Sequence, residues 1–255
     1  MTRHLLVIGG QRCGTTYLHA MLEAHPQVAM ARPARPEPKV FLSADAVAHG
    51  LDWYRDTYFA HDPGASLLGE KSTSYLEYAT AARHAASMLG HAHIVALLRE
   101  PRDRALSNWQ FSTAQGFEER PAEQALAENL RQARHWDPAA TSSSPYAYLE
   151  RGRYADYLRP WFQEFGAGVH VRFYEEVVGN PGAVAELYDT LGVDSRIRPP
   201  GLDRHINASR DRAPALPYEL DRRLADYFAD SNRRLSELLG RPLPWPETSG
   251  SRTSD

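Results

Sequence analysis

The sequence predicts an α/β fold in which a central parallel sheet is flanked by helices and the first strand leads into a P-loop-like turn. Short apolar runs alternate with longer helical patterns, an order typical of parallel sheets with helical connections. The run at 94–98 is apolar without alternation, as expected of a strand buried on both faces. The run at 5–8 is followed by a glycine-bounded turn and a helix start. A turn in this strand–turn–helix context is typical of a phosphate-binding loop.

The remaining elements follow in order along the chain. Strands are predicted at 5–8, 67–69, 93–98 and 169–173. Helices are predicted at 15–24, 80–89, 103–114, 122–134, 146–165, 183–191 and 217–239. The Pro/Arg-rich stretch 32–38 is a loop, and 136–145 is either a mobile connection or an ordered lid. We expect one domain over 1–245 and a polar, disordered tail over 246–255.

Charge and cysteine content exclude several classes of partner. The net charge of −3 provides no global attraction to nucleic acid or to an anionic membrane, so any anion site must be local. No apolar run approaches the roughly 20 residues that span a bilayer. Cys13 is the single cysteine, so an internal disulfide is impossible and a cytoplasmic location is expected. The favoured interpretation of Cys13 is a small residue that fills the turn, with a reactive thiol as the alternative.

The first turn has the spacing of a phosphate loop but lacks its lysine. Gly9 and Gly14 fit the G-x-x-x-x-G pattern, and Thr15 stands where an ATP- or GTP-binding loop carries lysine. Backbone amides and the helix dipole can still bind an anion there. The group that would reach the β- and γ-phosphates is missing. This pattern predicts a phosphate-like ligand that is not a nucleoside triphosphate.

A second group of polar residues follows the strand at 93–98. Arg99 comes directly after that strand, and Ser107 lies two turns further on, in the next predicted helix. Ligands of open α/β sheets bind at the carboxyl ends of strands. A guanidinium fork with a hydroxyl can bind a separate phosphate group. The alternative is that Arg99 forms a structural ion pair with Glu100 or Asp103.

A third pair, Glu70 and Lys71, follows the short apolar run at 67–69. Glu70 could remove a proton from an acceptor molecule, and Lys71 could stabilise developing negative charge. The alternative is a Glu–Lys surface pair beside a Ser/Thr-rich helix cap.

Together these motifs resemble the PAPS-dependent sulfotransferases, PAPS being 3′-phosphoadenosine 5′-phosphosulfate. The chain looks most like the heparan sulfate N- and O-sulfotransferase domains and their bacterial small-molecule relatives. The motifs are Gly10-Gln11-Arg12-Cys13-Gly14-Thr15-Thr16, Arg99-x-Pro-x-x-Arg-x-x-Ser107, Gly69-Glu70-Lys71-Ser72, and the segments 172–181, 205–210 and 227–235. The resemblance implies the P-loop NTPase-like sulfotransferase fold. It also implies transfer of a sulfuryl group from PAPS to a hydroxyl or amine of a small-molecule or carbohydrate acceptor, such as a sugar or a natural product, without a metal.

The resemblance implies which residues bind the nucleotide. The first turn would hold the 5′-phosphosulfate through Arg12, Cys13, Gly14, Thr15 and Thr16. Arg99 and Ser107 match the 3′-phosphate clamp of the family. Ser209 and Arg210 match a late loop that closes over the nucleotide in relatives, with a solvated charge run at 210–212 as the alternative.

The resemblance also implies catalytic roles. Glu70 would be the general base, Arg12 would stabilise the leaving PAP, and Lys71 would supply a further cation. The heparan-type loop usually carries lysine at the position of Arg12. Arginine keeps the charge and offers a planar fork, but it is not interchangeable with lysine.

Acceptor contacts are expected from residues that correspond to the cleft of relatives. The candidates are Lys39, Tyr75, Trp109, Tyr148 and Arg153. For Trp109 the alternative is a core position, for Lys39 a surface lysine, and for 148–154 a solvent-facing helix start. The aromatic residues among these candidates are compatible with a sugar, a phenol or a polyketide-like chain as the acceptor. The sequence leaves the oligomeric state open.

Two other classes of function compete with this interpretation. A P-loop kinase or NTPase would need a loop lysine and a strand-end aspartate for magnesium, which Thr15 and Arg99 do not provide. A non-catalytic nucleotide-binding protein would not need the Glu70-Lys71 pair. The histidines show no H-x-x-x-H or H-E-x-x-H spacing, so no metal site is predicted.

Overall fold

Five parallel strands form the sheet that the apolar runs predict. The structure is a computed structural model that describes residues 3–136, 144–201 and 214–246. Its strands are β1 (Arg3–Val7), β2 (Val28–Met30), β3 (Leu67–Lys71), β4 (Ala92–Leu98) and β5 (Val169–Phe173). Their order is β2-β3-β1-β4-β5, and all four neighbouring pairs are parallel. The predicted α/β class is confirmed. The strand β2 was not predicted because three residues are too short to show a pattern.

Helices surround these strands in the chain order expected of a parallel sheet. The α-helices among the described residues are α1 (Thr15–Glu23), α2 (Ala44–Ala48), α3 (Gly50–Phe59), α4 (Ala79–Leu89), α5 (Pro101–Ala114), α6 (Ala122–Asn129), α7 (Tyr154–Phe165), α8 (Tyr174–Val177), α9 (Pro181–Leu191) and α10 (Tyr218–Leu239). No helix in the described ranges is long and apolar enough to cross a membrane.

Two helix predictions had wrong bounds, and helices α2 and α3 were not predicted. The helix predicted at 122–134 ends at Asn129, and the one predicted at 146–165 begins only at Tyr154. The side-chain oxygen of Asn129 accepts the backbone N–H groups of Tyr148 and Leu149, at 3.0 and 3.1 Å, so these amides are used outside a helix. Helices α2 and α3 were missed because only Tyr54 and Phe59 are buried on them, too few to mark an apolar face.

The chain divides into two compact units, which are described separately. The first comprises residues 1–99 and 157–208 and contains the whole sheet. Its core packs strand residues such as Leu5 and Val95 with Leu18 of α1 and Leu187 of α9. The second comprises 100–156 and 209–255, and its core includes Leu106, Leu126, Leu149, Leu224 and Phe228. Residues 137–143 of the predicted connection or lid, and 247–255 of the predicted tail, lie outside the described residues.

The strand register brings the turn after β1 beside the ends of its neighbours. Val7 is level with Lys71 of β3 and with Val95 of β4. The backbone N–H of Ser72 donates to the carbonyl of Val7 at 3.2 Å, and the N–H of Ile8 donates to that of Val95 at 3.0 Å. The segment after β3 and the segment after β4 therefore emerge at the same edge of the sheet as the glycine-rich turn.

Gly9 shows how closely this turn packs on β4. A Cβ atom at Gly9 would lie 2.1 Å from the backbone nitrogen of Leu97, and backbone cannot move aside as a flexible side chain would. Only glycine fits at this point of the turn.

We predict that Gly9→Ala lowers the free energy of unfolding by about 3 kcal/mol, because it overpacks a rigid contact with β4. Gly64→Ala is the matched control, since its Cβ would find only the Oδ1 of Asp62, at 3.9 Å. Urea unfolding of both variants measures the difference. Equal stabilities for the two variants would contradict the packing argument.

Candidate active site

The turn between β1 and α1 contains Arg12 and leads into the first helix of the chain. Gly14 precedes α1 with φ +85°, and it offers no side-chain cap to the helix. The first helical bond runs from the N–H of Leu18 to the carbonyl of Gly14, so the preceding N–H groups have no carbonyl partner within the helix. Together with the helix dipole they favour an anion at this position. Cys13 and Thr15 are buried, whereas Arg12, Gly14 and Thr16 are partly exposed.

Arg12 has an unusual backbone conformation. Its φ is +70°, in the left-handed region that residues other than glycine seldom occupy. Lys39, another predicted site residue, has φ +54°, and these are the two non-glycine residues with positive φ in the described ranges. Such conformations cost free energy and cluster at functional sites, where the surrounding structure imposes them.

Tyr174, at the start of α8, lies between the glycine turn and Arg99. A Cβ atom at Gly14 would be 2.8 Å from Cδ2 of Tyr174. The guanidinium carbon of Arg99 stands 4.6 Å from the centre of the same ring, the geometry of a cation–π contact. One aromatic ring thus packs against both predicted phosphate-binding elements of the first unit. The sequence placed Tyr174 within the segment 172–181 but predicted no role for it.

Glu70 is enclosed. Its exposure is 0%, and three hydroxyl groups donate to its carboxylate. Ser72 Oγ and Tyr75 Oη bond Oε1 at 2.7 and 2.5 Å, and Tyr54 Oη bonds Oε2 at 2.7 Å. Burial raises the pKa of Glu70, and the hydroxyl hydrogen bonds lower it. In this conformation Glu70 cannot touch an acceptor molecule, which is an obstacle to its predicted role as general base.

Lys71 points to the other side of β3 and pairs with a carboxylate that the sequence analysis did not consider. Its Nζ lies 2.5 Å from Oε1 of Glu37. Oε2 of Glu37 accepts the backbone N–H of Thr73 at 3.0 Å, and the Thr73 hydroxyl also donates to the carboxylate. Unlike Glu70, the Glu37 side chain keeps 16% of its surface exposed. The pair also lies close enough to His19 of α1 to influence its pKa, which burial lowers.

Two of the predicted acceptor-binding residues are held by the same group of contacts. The backbone N–H of Lys39 donates to Ser72 Oγ at 3.0 Å. Tyr75 is 0% exposed, and its hydroxyl accepts the N–H of Phe41 at 3.1 Å and donates to Glu70. Tyr75 therefore offers no surface to an acceptor, and its predicted contact with one is not supported by its position. Lys39 remains partly exposed.

The other predicted residues belong to the second unit. Ser107 lies on α5 and is 4% exposed. Trp109 packs beside the core of this unit and donates from Nε1 to the carbonyl of Arg120 at 2.9 Å, in agreement with the alternative of a core role. Tyr148 is buried and donates to Oε2 of Glu118 at 2.8 Å, so it too lacks a surface for an acceptor.

Arg153 is the most accessible of the acceptor candidates in the second unit. Its side chain is 44% exposed and pairs with Asp156 at 2.9 Å. Its guanidinium lies 5.9 Å from the ring of Tyr227. Ser209 and Arg210 lie outside the described residues. In the ranges that are described, no cluster of three or more His, Cys, Asp or Glu side chains could hold a metal ion.

Three residues of the candidate site had no role predicted from the sequence: Glu37, Tyr54 and Tyr174. Glu37 carried one signal, because it is the single acidic residue between Arg32 and Lys39 in an otherwise cationic, proline-rich loop. Tyr54 lies in the unpredicted helix α3 and carried no signal.

Comparison with known proteins identifies relatives over most of the chain. Residues 2–209 match the sulfotransferase domain family. The bifunctional heparan sulfate N-deacetylase/N-sulfotransferase 2 of Bos taurus is 30% identical over 267 residues, and its human counterpart is 29% identical. These alignments cover 94% of this chain but 30% of the relatives, so the chain spans about a third of their length. The crystal structure of a sulfotransferase from Alicyclobacillus acidocaldarius matches with a TM-score of 0.73 and 25% identity, over 95% of this chain and 98% of that one.

We predict that Tyr174→Leu weakens the affinity for PAP by about 2- to 30-fold, because Arg99 loses its aromatic face, a contact worth about 0.5–2 kcal/mol. Tyr174→Phe keeps the ring beside Arg99 and Gly14 and should bind as the wild type does. Isothermal titration calorimetry compares the three proteins. Equal affinities for the Leu and Phe variants would show that the ring does not support the site.

Proposed function

Because the chain belongs to the sulfotransferase domain family, we propose that it transfers a sulfuryl group from PAPS to a hydroxyl or amine of a small-molecule or carbohydrate acceptor. One observation carries this proposal: the lysine-free anion turn and the Lys71–Glu37 pair lie at the same edge of the sheet. The turn suits a phosphosulfate, and the pair supplies a cation and a base beside it. A protein that binds the nucleotide but catalyses no reaction would need only the turn.

The nucleotide contacts are proposed from the family pattern and supported by the local geometry. Arg12, Cys13, Gly14, Thr15 and Thr16 would hold the 5′-phosphosulfate through backbone amides, hydroxyls and the Arg12 guanidinium. PAPS has no γ-phosphate, so it does not need the loop lysine that Thr15 replaces. The replacement therefore favours PAPS over ATP or GTP as the ligand of this turn.

Arg99, whose guanidinium is held over Tyr174, would bind the separate 3′-phosphate. Ser107, Ser209 and Arg210 remain proposed nucleotide contacts on the family pattern alone.

The proposed reaction is an in-line displacement at sulfur. The acceptor oxygen or nitrogen forms a bond to sulfur while the bond from sulfur to the 5′-phosphate oxygen breaks, and PAP leaves with the bonding electron pair. Arg12 and Lys71 stabilise the charge that develops on the leaving phosphate. The acceptor's proton passes to a carboxylate.

We assign that proton to Glu37 rather than to Glu70, because a general base must reach the group it deprotonates. Both carboxylates accept three hydrogen-bond donors, but Glu70 is fully buried whereas Glu37 is partly exposed. A carboxylate can accept about four such bonds, so Glu37 retains capacity for one more. Its contact with Lys71 also places the base beside a cation that can stabilise the transition state.

The acceptor class is proposed from the relatives. The names of the heparan sulfate relatives favour a carbohydrate amine or hydroxyl, while a phenol or other natural product remains the alternative. The partly exposed Arg153 would suit an anionic acceptor.

We further propose a single functional domain over 1–245, because the family match over residues 2–209 includes parts of both units. We also propose a cytoplasmic location, because Cys13 is the only cysteine of the sequence.

We predict that PAP raises the melting temperature far more than AMP, ADP or magnesium-ATP at equal concentration. A ligand at 100 times its dissociation constant stabilises the folded state by about 2.7 kcal/mol, enough for a shift of several degrees. Differential scanning fluorimetry measures this directly. An equal or larger shift with magnesium-ATP would favour the kinase alternative and overturn the donor assignment.

We predict that Glu37→Gln lowers kcat by about 10²–10⁴-fold while PAP affinity stays unchanged, because the variant keeps the shape but not the basicity of the side chain. The assay uses ³⁵S-labelled PAPS and the best acceptor from a panel of amino sugars, phenols and hydroxylated chains. Glu186→Gln, at an exposed position on α9, is the matched control and should behave as the wild type does. Undiminished turnover by Glu37→Gln would remove Glu37 from the mechanism.

A further inference from the structure

Glu70 lies inside a shell of aromatic side chains in the first unit. The ring of Phe41 is 5.6 Å from that of Tyr54 and 5.5 Å from that of Tyr75, and the ring of Tyr54 is 5.4 Å from that of Phe59. A carboxylate in such surroundings destabilises the fold unless its oxygens are hydrogen-bonded. The three hydroxyl donors satisfy this requirement. We therefore ask what the enclosed carboxylate does for the surrounding structure.

Two of the three donors are relays to another segment of the chain. The Lys39 N–H donates to Ser72 Oγ, which donates to Glu70. The Phe41 N–H donates to Tyr75 Oη, which also donates to Glu70. The third donor, Tyr54, makes its bond to Glu70 without a backbone N–H behind it in the contacts described.

Both relays end on the same oxygen of Glu70. Each relay hydroxyl accepts a hydrogen bond from a backbone N–H and uses its own single proton to donate a hydrogen bond to Oε1. A chain of N–H, O–H and carboxylate in a low-dielectric interior polarises each bond in turn and strengthens it.

We propose that Glu70 is a positioning residue, which uses these two relays to hold the segment 37–41 against the end of β3. This inference rests on the proposed function, in which Glu37 of that segment is the base. The relays bond the amides on both sides of Val40, and Lys39 is the residue with the left-handed φ of +54°. Without them the segment can relax that strained conformation, and the carboxylate of Glu37, two residues before Lys39, loses its place beside Lys71.

Other contacts keep the segment attached when one relay is removed. Glu37 bonds the N–H of Thr73, and the ring of His84 contacts the carbonyl of Phe41 at 2.9 Å. Single substitutions in the relays should therefore fold, and their effects should be local.

The test compares Ser72→Ala and Tyr75→Phe, which each break one relay, with Tyr54→Phe, which removes an equivalent donor to Glu70 but no relay. NMR hydrogen exchange follows the amides of Lys39 and Phe41. We expect exchange to accelerate at least about tenfold at Lys39 in Ser72→Ala and at Phe41 in Tyr75→Phe, since each loses a hydrogen bond worth about 1.4 kcal/mol. Tyr54→Phe should leave both rates within about twofold of wild type on the same reasoning.

Activity provides the second readout, with the same acceptor assay. Both relay variants should lose at least about tenfold in kcat with unchanged PAP affinity, and Ser72→Thr, which retains the hydroxyl, should recover the wild-type kcat. Tyr54→Phe should keep its kcat even if its stability falls.

Two results would overturn the inference: unchanged exchange in the relay variants, or a loss of kcat in Tyr54→Phe equal to theirs. Failure of the proposed function gives a different result, since the wild type would then not bind PAP while the exchange pattern of the relays persists.

Discussion

The register of β1 against β3 and β4 is the constraint on which the candidate site depends. Val7 is level with Lys71 on one side and Val95 on the other, so the turn after β1 leaves the sheet beside both neighbours. Parallel pairing places all carboxyl ends at one edge, where open α/β sheets bind their ligands. The backbone of Leu97 crowds this edge so closely that Gly9 has no room for a side chain. The anion turn, the Lys71–Glu37 pair and Arg99 all follow from this arrangement.

The two carboxylates of the site, Glu70 and Glu37, differ in how deeply they are buried. Glu70 and Lys71 are neighbours in sequence, but successive residues of a strand point to opposite faces. Glu70 consequently enters an aromatic interior and requires three hydroxyl partners, whereas Lys71 meets Glu37 at a partly exposed position. In our proposal the enclosed carboxylate of Glu70 holds backbone in place, and the partly exposed carboxylate of Glu37 accepts the proton of the acceptor. Tyr174 also has a supporting position, because its ring packs against both the glycine turn and Arg99.

Much of the fold could be read from the sequence because its signals are local. The apolar run at 94–98 predicts a strand buried on both faces, and β4 is such a strand. Glycines at 9 and 14 predict a tight turn, and both are required there. The failures occurred where long-range contacts override local pattern: Asn129 takes the amides of Tyr148 and Leu149 out of the predicted helix, and α3 contributes only two buried residues.

For the site, the sequence alone indicated which chemical groups are available. It placed a lysine-free turn after β1, an arginine after β4 and a Glu–Lys pair at the end of β3, and these motifs indicated the sulfotransferase family. Which carboxylate is accessible and which aromatic residues are enclosed became evident from the folded structure alone. Glu37 and Lys71 are 34 positions apart, and Tyr75 reaches the amide of Phe41 from the same distance along the chain. No local pattern encodes such contacts, because burial and hydrogen-bond partners are set by which segments the sheet brings together.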